Sequence, residues 1–244
     1  MPPMKQAINT FFDRVVVINL KARTDRLGEM REQLQRIGLR LDSPGVQVFE
    51  AIRPDSAAGF ESVGAHGCFM SHLTVLRQAV QAGVGSLLIL EDDLNFCDRF
   101  PERFDALATF LSQQDWGLFY GSYFLHEPLA QTERPCVQLE PATLIGTSAF
   151  LAIRGAHIAA LVAYLEAMLN RAPGDALGGP MHIDGAYCWF RQSHPEVLTW
   201  LSSTPLGYQR ASKTDVHALR WFDQMAWSAR LVASLRRWRN RLLR

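Results

Sequence analysis

Residues 86–93 read SLLILEDD. The stretch 86–90 has no polar alternation, as expected of a strand covered on both faces, and the acids that follow deliver carboxylates to an open rim. A strand of that kind sits in the middle of a sheet with helices on either side. Upstream, residues 15–20 form a short apolar run rich in β-branched side chains, followed by a polar turn at 21–26. Leu27, Met30, Leu34 and Ile37 then recur at helical spacing, with Thr24 or Asp25 placed to cap the helix and Gly38 to stop it. Residues 46–51 predict a second strand and 68–80 a helix, broken at Gly83 and Gly85. Downstream, 100–111 reads as helix, 117–120 as a fourth short strand and 127–141 as an irregular insertion. A further strand is expected at 149–153 and a helix at 155–169. Residues 170–180 form a Gly/Pro-rich loop long enough to act as a mobile flap. This alternation predicts an α/β fold, a doubly wound and mostly parallel sheet over residues 1–215, with sites at the carboxyl ends of the strands.

The bulk properties narrow the class. Among 244 residues, 48% are hydrophobic and 20% charged, an ordinary globular composition. Lysines and arginines number 25 against 24 acids, for a net charge of +1. Arg230, Arg236, Arg237, Arg239, Arg241 and Arg244 crowd the C-terminal end and leave the remainder slightly acidic, so binding of nucleic acid is not expected. Cys68, Cys97, Cys136 and Cys188 form neither a zinc spacing nor a redox dithiol, which suits a reducing cytosol. The first 14 residues lack the pattern of a secretory signal, and no run of about 18 apolar residues occurs. A cytoplasmic protein is expected. In residues 216–244, Leu219, Phe222, Met225, Ala229, Val232, Leu235, Trp238 and Leu242 recur at helical spacing among arginines. They predict a basic amphipathic helix that lies on an anionic inner-membrane face, or docks on its own domain or on a homodimer partner.

Three consecutive acids repel one another unless something positive binds beside them. Mn²⁺ or Mg²⁺ is the natural partner, since both prefer hard oxygen ligands and leave positions open for a diphosphate. An acidic triplet also serves as a helix cap or a solvated turn, and the setting at a strand's carboxyl end is what favours the metal. Phosphoryl transfer would use the same carboxylates, but no phosphate-cradling Gly-Lys-Ser/Thr loop is present. A binding or scaffold protein that keeps the fold without turnover is the remaining alternative.

Taken together, VVVINLKARTDR at 15–26, GAHGCFMSH at 64–72 and SLLILEDD at 86–93 resemble the glycosyltransferase family 25 domain in wording and order. This is the family of bacterial lipooligosaccharide galactosyltransferases and collagen galactosyltransferases. GTSAFLAIRGAHIAALV at 146–162 is similar to its later strand-helix segment, so the resemblance spans roughly residues 14–190. It implies a GT-A type fold, a UDP-hexose donor (galactose or glucose), a divalent metal and inversion at the anomeric carbon. The acceptor it implies is a saccharide or lipid-linked saccharide, as in lipopolysaccharide assembly. On the family's acidic motif, Asp93 is the first expected metal ligand and Asp92 the second, with Glu91 holding a ribose or supporting contact. Asn19, Leu20, Arg23 and Arg26 fall where such enzymes seat the nucleotide, and guanidinium groups suit phosphate oxygens. As surface charges at a helix start, the two arginines would have no such role. Ser71 and His72 lie on the Gly-Cys-x-x-Ser-His motif and would touch the donor or the sheet edge. A packed histidine is the plainer reading of His72. Ala65 and His66 stand where the family commonly has an acid before its Gly-Cys pair, which puts any role of that acid in doubt.

An inverting transfer needs a carboxylate to take the acceptor's proton. Asp184, after the Gly/Pro-rich loop and beside Gly185, is the candidate, with a helix N-cap as its alternative. His182 and His217 are candidates for a further metal or diphosphate contact. Gln209, Arg210, Ser212 and Lys213 lie in a polar turn-like stretch suited to closing over phosphates. Tyr187, Trp189 and Trp200 offer faces for sugar stacking, or core packing.

Overall fold

The computed structural model describes residues 7–210. A single turn of helix, α1 (Ile8–Phe11), precedes β1 (Arg14–Asn19), α2 (Thr24–Arg36), β2 (Val46–Glu50), α3 (Val63–Gln81) and β3 (Ser86–Glu91). Then come β4 (Leu94–Phe96), α4 (Phe100–Leu111), β5 (Leu118–Phe124), β6 (Cys136–Leu139), β7 (Gly146–Arg154) and α5 (Gly155–Leu169). The last described elements are α6 (Ile183–Ser193), β8 (Thr199–Ser202) and β9 (Gly207–Gln209). Ser212, Lys213, His217 and the expected amphipathic helix at 216–244 lie outside the described residues. Among the described residues, no helix is long and apolar enough to cross a membrane.

Seven strands form the central sheet in the order β2-β1-β3-β7-β5-β8-β6. Strands β2, β1, β3, β5 and β8 point one way, while β7 and the edge strand β6 run against them. The apolar run of β3 is explained by its place between β1 and β7. Leu87 and Ile89 face one core with Val16, Ile18, Leu151 and Ile153, beneath α3, α5 and α6. Leu88 and Leu90 face the other with Val15, Val17 and Ala152, beneath α1, α2 and α4. All four β3 side chains are fully buried, each contributing about 1.5–3 kcal/mol of hydrophobic stabilisation. Helices on both faces make the sheet doubly wound.

Two features differ from the sequence expectations. The stretch 127–141 is not wholly irregular, because Cys136–Leu139 pairs with β8 as the sheet's last strand. Two three-residue strands, β4 and β9, form a separate antiparallel ribbon just beyond the acids. The 170–180 loop has hydrogen bonds of its own, as Arg171 Nη1 donates to the carbonyls of Leu177 and Gly178 at 2.6 and 3.0 Å.

The Gly-Cys-x-x-Ser-His motif lies along α3, whose first turn is capped by the Ser62 hydroxyl accepting from Ala65 N–H at 3.0 Å. A Cβ at Gly67 would stand 2.4 Å from the Ile52 carbonyl oxygen, so only glycine allows the chain leaving β2 to approach so closely. Ser71 closes the same junction. Its hydroxyl donates to Gly67 O at 2.7 Å and accepts from Ile52 N–H at 2.8 Å.

Candidate active site

Parallel pairing sets Ile18 of β1 opposite Glu91 of β3, so both strands end at the same rim. Asn19, the last residue of β1, donates its amide to Asp92 Oδ2 at 2.7 Å. Arg26, in the first turns of α2, donates to Asp92 Oδ1 at 2.9 Å and stands 3.5 Å from Asp93 Oδ2. Asp92 is thus buried with a donor on each oxygen. Burial raises its pKa even so, against the pull of Arg26 and Asn19.

The β4–β9 ribbon closes the other side. Arg210 N–H donates to the Asp93 carbonyl at 2.6 Å, its Nη2 to the Asp92 carbonyl at 2.9 Å and its Nη1 to Asn95 Oδ1 at 2.8 Å. Glu29 of α2 holds the same guanidinium at 2.8 Å. Gln209 donates to Asp93 Oδ2 at 3.4 Å. Asp93 Oδ1 is buried and has no hydrogen-bond partner among the described residues. Burial, then the charge of Glu91, pushes the Asp93 carboxyl up to about 7.

Behind these groups, Ser148 of β7 donates to Glu91 Oε1 at 2.9 Å, and His72 Nε2 lies 3.7 Å from the same oxygen. The other imidazole nitrogen meets the buried Tyr187 hydroxyl at 2.9 Å. Burial works to raise the Glu91 pKa, but the His72 imidazole and the Ser148 hydroxyl outweigh it and hold the group below its ordinary value. Cys68 joins His72 and Glu91 in a group whose ligand atoms lie within 4.8 Å of one another.

Asp184 occupies the first turn of α6, whose N-cap is His182, so it is not the cap residue itself. Its Oδ2 accepts from Thr147 N–H at 3.0 Å. Thr147 adopts φ +63, a left-handed conformation costly for a β-branched residue, and that conformation accompanies the donation to the carboxylate. Burial, then the Glu91 charge, raises the Asp184 pKa. An open cavity of about 490 Å³ lies beside Asp184 and reaches Gln209.

Asn19, Arg26, His72, Glu91, Asp92, Asp93, Asp184, Gln209 and Arg210 therefore belong to one neighbourhood. Arg23 pairs its guanidinium with Asp25, with contacts of 3.0 and 2.9 Å, while its carbonyl accepts from the Asn19 amide at 3.2 Å and its N–H donates to the Leu20 carbonyl. Ser71 takes the sheet-edge role. Tyr187 and Trp200 are buried in the core and present no sugar-stacking face. Sequence reasoning passed over Thr147, Ser148 and Asn95, because nothing in a Thr-Ser pair announces a left-handed backbone or a contact with a distant strand. The Cys68–His72 spacing of four on one helix was legible as a shared face.

A hard divalent cation fits these residues. Asp93 offers a buried carboxylate oxygen without a partner, and Asp92 and Glu91 stand beside it. The Cys68, His72 and Glu91 set, with its thiol and imidazole, is the softer of the two groups.

The chain has an alternating α/β architecture with helices on both sheet faces and an acidic turn after a central strand. The family model described as "Glycosyltransferase family 25 (LPS biosynthesis protein)" matches residues 12–140, and the chain belongs to this family. Among its relatives, procollagen galactosyltransferase 1 of Danio rerio is 31% identical over 149 residues, 54% of this chain and 24% of its own length. Inactive glycosyltransferase 25 family member 3 of Mus musculus is 26% identical over 136 residues, 48% of this chain and 23% of its own. The chain thus spans about a quarter of the length of these curated relatives. Among solved structures, a glycosyltransferase involved in the glycosylation of the major capsid of PBCV-1 aligns with 11% identity and a TM-score of 0.40, over 82% of this chain and 93% of its own. Asp184, Thr147 and Ser148 lie beyond the family match.

Proposed function

We propose that this chain transfers galactose or glucose from a UDP-hexose to a saccharide hydroxyl, with inversion, in lipopolysaccharide or surface-glycan assembly. The observation that carries this reading is Asp93, just past the end of a central strand, a buried carboxylate with one oxygen unpartnered among the described residues and the Arg26 guanidinium 3.5 Å from the other. Mn²⁺ or Mg²⁺ would be held by Asp93, with Asp92 the weaker ligand because Asn19 and Arg26 already engage both its oxygens. When bound, such an ion offsets the charge that develops on the departing diphosphate.

The chain's own groups would do the rest. Arg26 and Arg210 supply fixed positive charge for phosphate oxygens in a site shielded from water, where such charges act strongly. Asp184, oriented by the Thr147 N–H, accepts the proton from the acceptor hydroxyl as that oxygen bonds to the anomeric carbon. The bond from that carbon to the diphosphate oxygen breaks on the opposite face. A raised Asp184 pKa suits this role, since a base with greater proton affinity takes the proton more readily. His72 and Ser148 keep Glu91 in place, where it would meet the ribose.

A second reading is a non-catalytic member of the family, favoured by the engagement of both Asp92 oxygens and by the relatives named inactive. A panel of sugar nucleotides tested by thermal shift, with and without Mn²⁺, separates the readings when followed by turnover assays. Stabilisation by a UDP-hexose that grows with Mn²⁺ and vanishes in Asp93→Ala is expected, together with transfer. Metal-independent binding without turnover selects the scaffold. For the basic segment 216–244 we propose peripheral contact with an anionic cytoplasmic membrane face. Cosedimentation with phosphatidylglycerol vesicles tests it, and a dimer in solution without vesicle binding would favour the homodimer instead.

A further inference from the structure

Beside Asp184 the 490 Å³ cavity is walled by aromatic rings that the sequence did not single out. Phe124, the last residue of β5, leaves 58% of its surface exposed, although apolar side chains of this size are normally covered. Its ring meets His126 edge-on at 5.4 Å. The neighbouring Tyr123 is anchored by donating its hydroxyl to the Ser202 carbonyl at 2.6 Å. Tyr208 also lines the cavity, and its hydroxyl accepts from the Asn95 amide at 3.2 Å. Both tyrosine rings are therefore held in orientation before any ligand arrives, which lowers the entropy lost on binding.

Polar residues that line the same cavity include Asp184, Gln209, Ser122 and Thr147. No lysine, arginine or histidine is among the described residues that line it. Asp184 is the one charged residue among the described residues that line it, and a carboxylate there disfavours a diphosphate, whose oxygens the Arg26 and Arg210 end is suited to receive instead. Flat apolar rings combined with uncharged hydrogen-bonding groups suit a pyranose, which presents one face of C–H groups and a rim of hydroxyls. The volume falls within the roughly 300–1,000 Å³ of small-molecule sites, enough for one or two sugar rings.

We propose that this cavity is the subsite for an uncharged pyranose of the acceptor, with its C–H face on Phe124 and its reacting hydroxyl toward Asp184. The placement of the hydroxyl rests on the transferase reading above, whereas the sugar subsite itself does not.

Saturation-transfer NMR on the full chain tests it without turnover, with lactose and maltose as neutral probes and glucose 1-phosphate as an anionic one. Wild type is expected to bind at least one neutral disaccharide, and Phe124→Ala to weaken that binding about five- to tenfold. Phe124→Tyr, which keeps the ring, is expected to retain it. Tyr208→Ala provides a second variant among the lining residues, and thermal midpoints within about 2 °C of wild type confirm that each variant is folded. Equal binding by wild type and both alanine variants overturns the subsite. So does binding of neither disaccharide, or tighter binding of glucose 1-phosphate than of both. UDP titration of wild type reads the donor side separately. If UDP fails to bind while the Phe124-dependent sugar signal persists, the subsite stands and the transferase reading falls.

Discussion

At the scale of single residues, the acids divide by what touches them. Asp92 has a donor on each oxygen, Glu91 is held by Ser148 and His72, and Asp93 alone keeps a buried oxygen without a partner. Arg26 is the cation that Asp92 and Asp93 share. Replacing it by Met leaves two buried carboxylates uncompensated, a change expected to cost about 3–5 kcal/mol of stability. Chemical denaturation reads that loss, and added Mn²⁺ is expected to restore part of it; a loss below about 1 kcal/mol would mean the pair contributes no more than a surface ion pair. Asp184, on α6, takes its hydrogen bond from a backbone N–H of β7 and feels the charge of Glu91. Asp184→Asn keeps the size and the contact with Thr147 but cannot take a proton. UDP affinity should stay near wild type while transfer to acceptor falls about 10²- to 10⁴-fold, as measured by steady-state kinetics. Parallel losses in both would move Asp184 to the metal.

At the scale of elements, what could be read in advance follows the length of each signal. Helices α4 and α5 match their periodic patterns end to end, and β1 and β3 announce themselves as unbroken apolar runs because both their faces are covered. Strands β4 and β9 were not legible. Each has three residues and exists only through pairing between segments more than 100 positions apart, as Asn95 with Tyr208. That ribbon matters because it delivers Gln209 and Arg210 to the acids, so part of the site was named from residue type before its cause was visible. The α3 motif shows the reverse case, where the residues stood out but their tasks did not. Gly67 permits a close backbone approach and Ser71 clamps the same junction, while Cys68 and His72 alone face the acids. Gly67→Ala forces the Ile52 carbonyl away from a Cβ that would otherwise stand 2.4 Å off. Overpacking of this kind costs about 1–3 kcal/mol, so the thermal midpoint is expected to drop by roughly 2–12 °C. Calorimetric scanning measures it, and an unchanged midpoint would show that the β2–α3 junction yields freely.

At the scale of the molecule, the site is assembled from two parts of the chain with different origins of legibility. The family match, residues 12–140, contains β1, α3 and the acidic turn, all of which carry recognisable wording. Asp184, Thr147 and the α6 end of the cavity lie beyond it, and their placement depends on packing rather than on any local pattern. One side chain shows how that packing is held. Arg191 on α6 is almost fully buried, at 1% exposure, with no carboxylate among its recorded hydrogen-bond partners. Its guanidinium donates to the Glu140 and Thr143 carbonyls at 2.7 and 2.9 Å and to the Thr199 hydroxyl at 3.1 Å. It thereby ties the helix that carries Asp184 to the turn before β7 and to β8. Arg191→Leu fills much of the space but leaves the buried Thr199 hydroxyl without this donor, at about 1–3 kcal/mol, and two part-buried carbonyls without theirs at a smaller cost, since water can reach them. The variant is therefore expected to be destabilised by about 1–3 kcal/mol and its folded fraction to hold α6 less firmly. Because the proposed donor side is built from β1, α2, β3 and the β4–β9 ribbon, Mn²⁺-dependent UDP binding measured well below the lowered midpoint should persist while transfer to acceptor declines. Simultaneous loss of both in a still-folded variant would show that the two parts do not act separately, and that Arg191 supports the whole sheet rather than the Asp184 side.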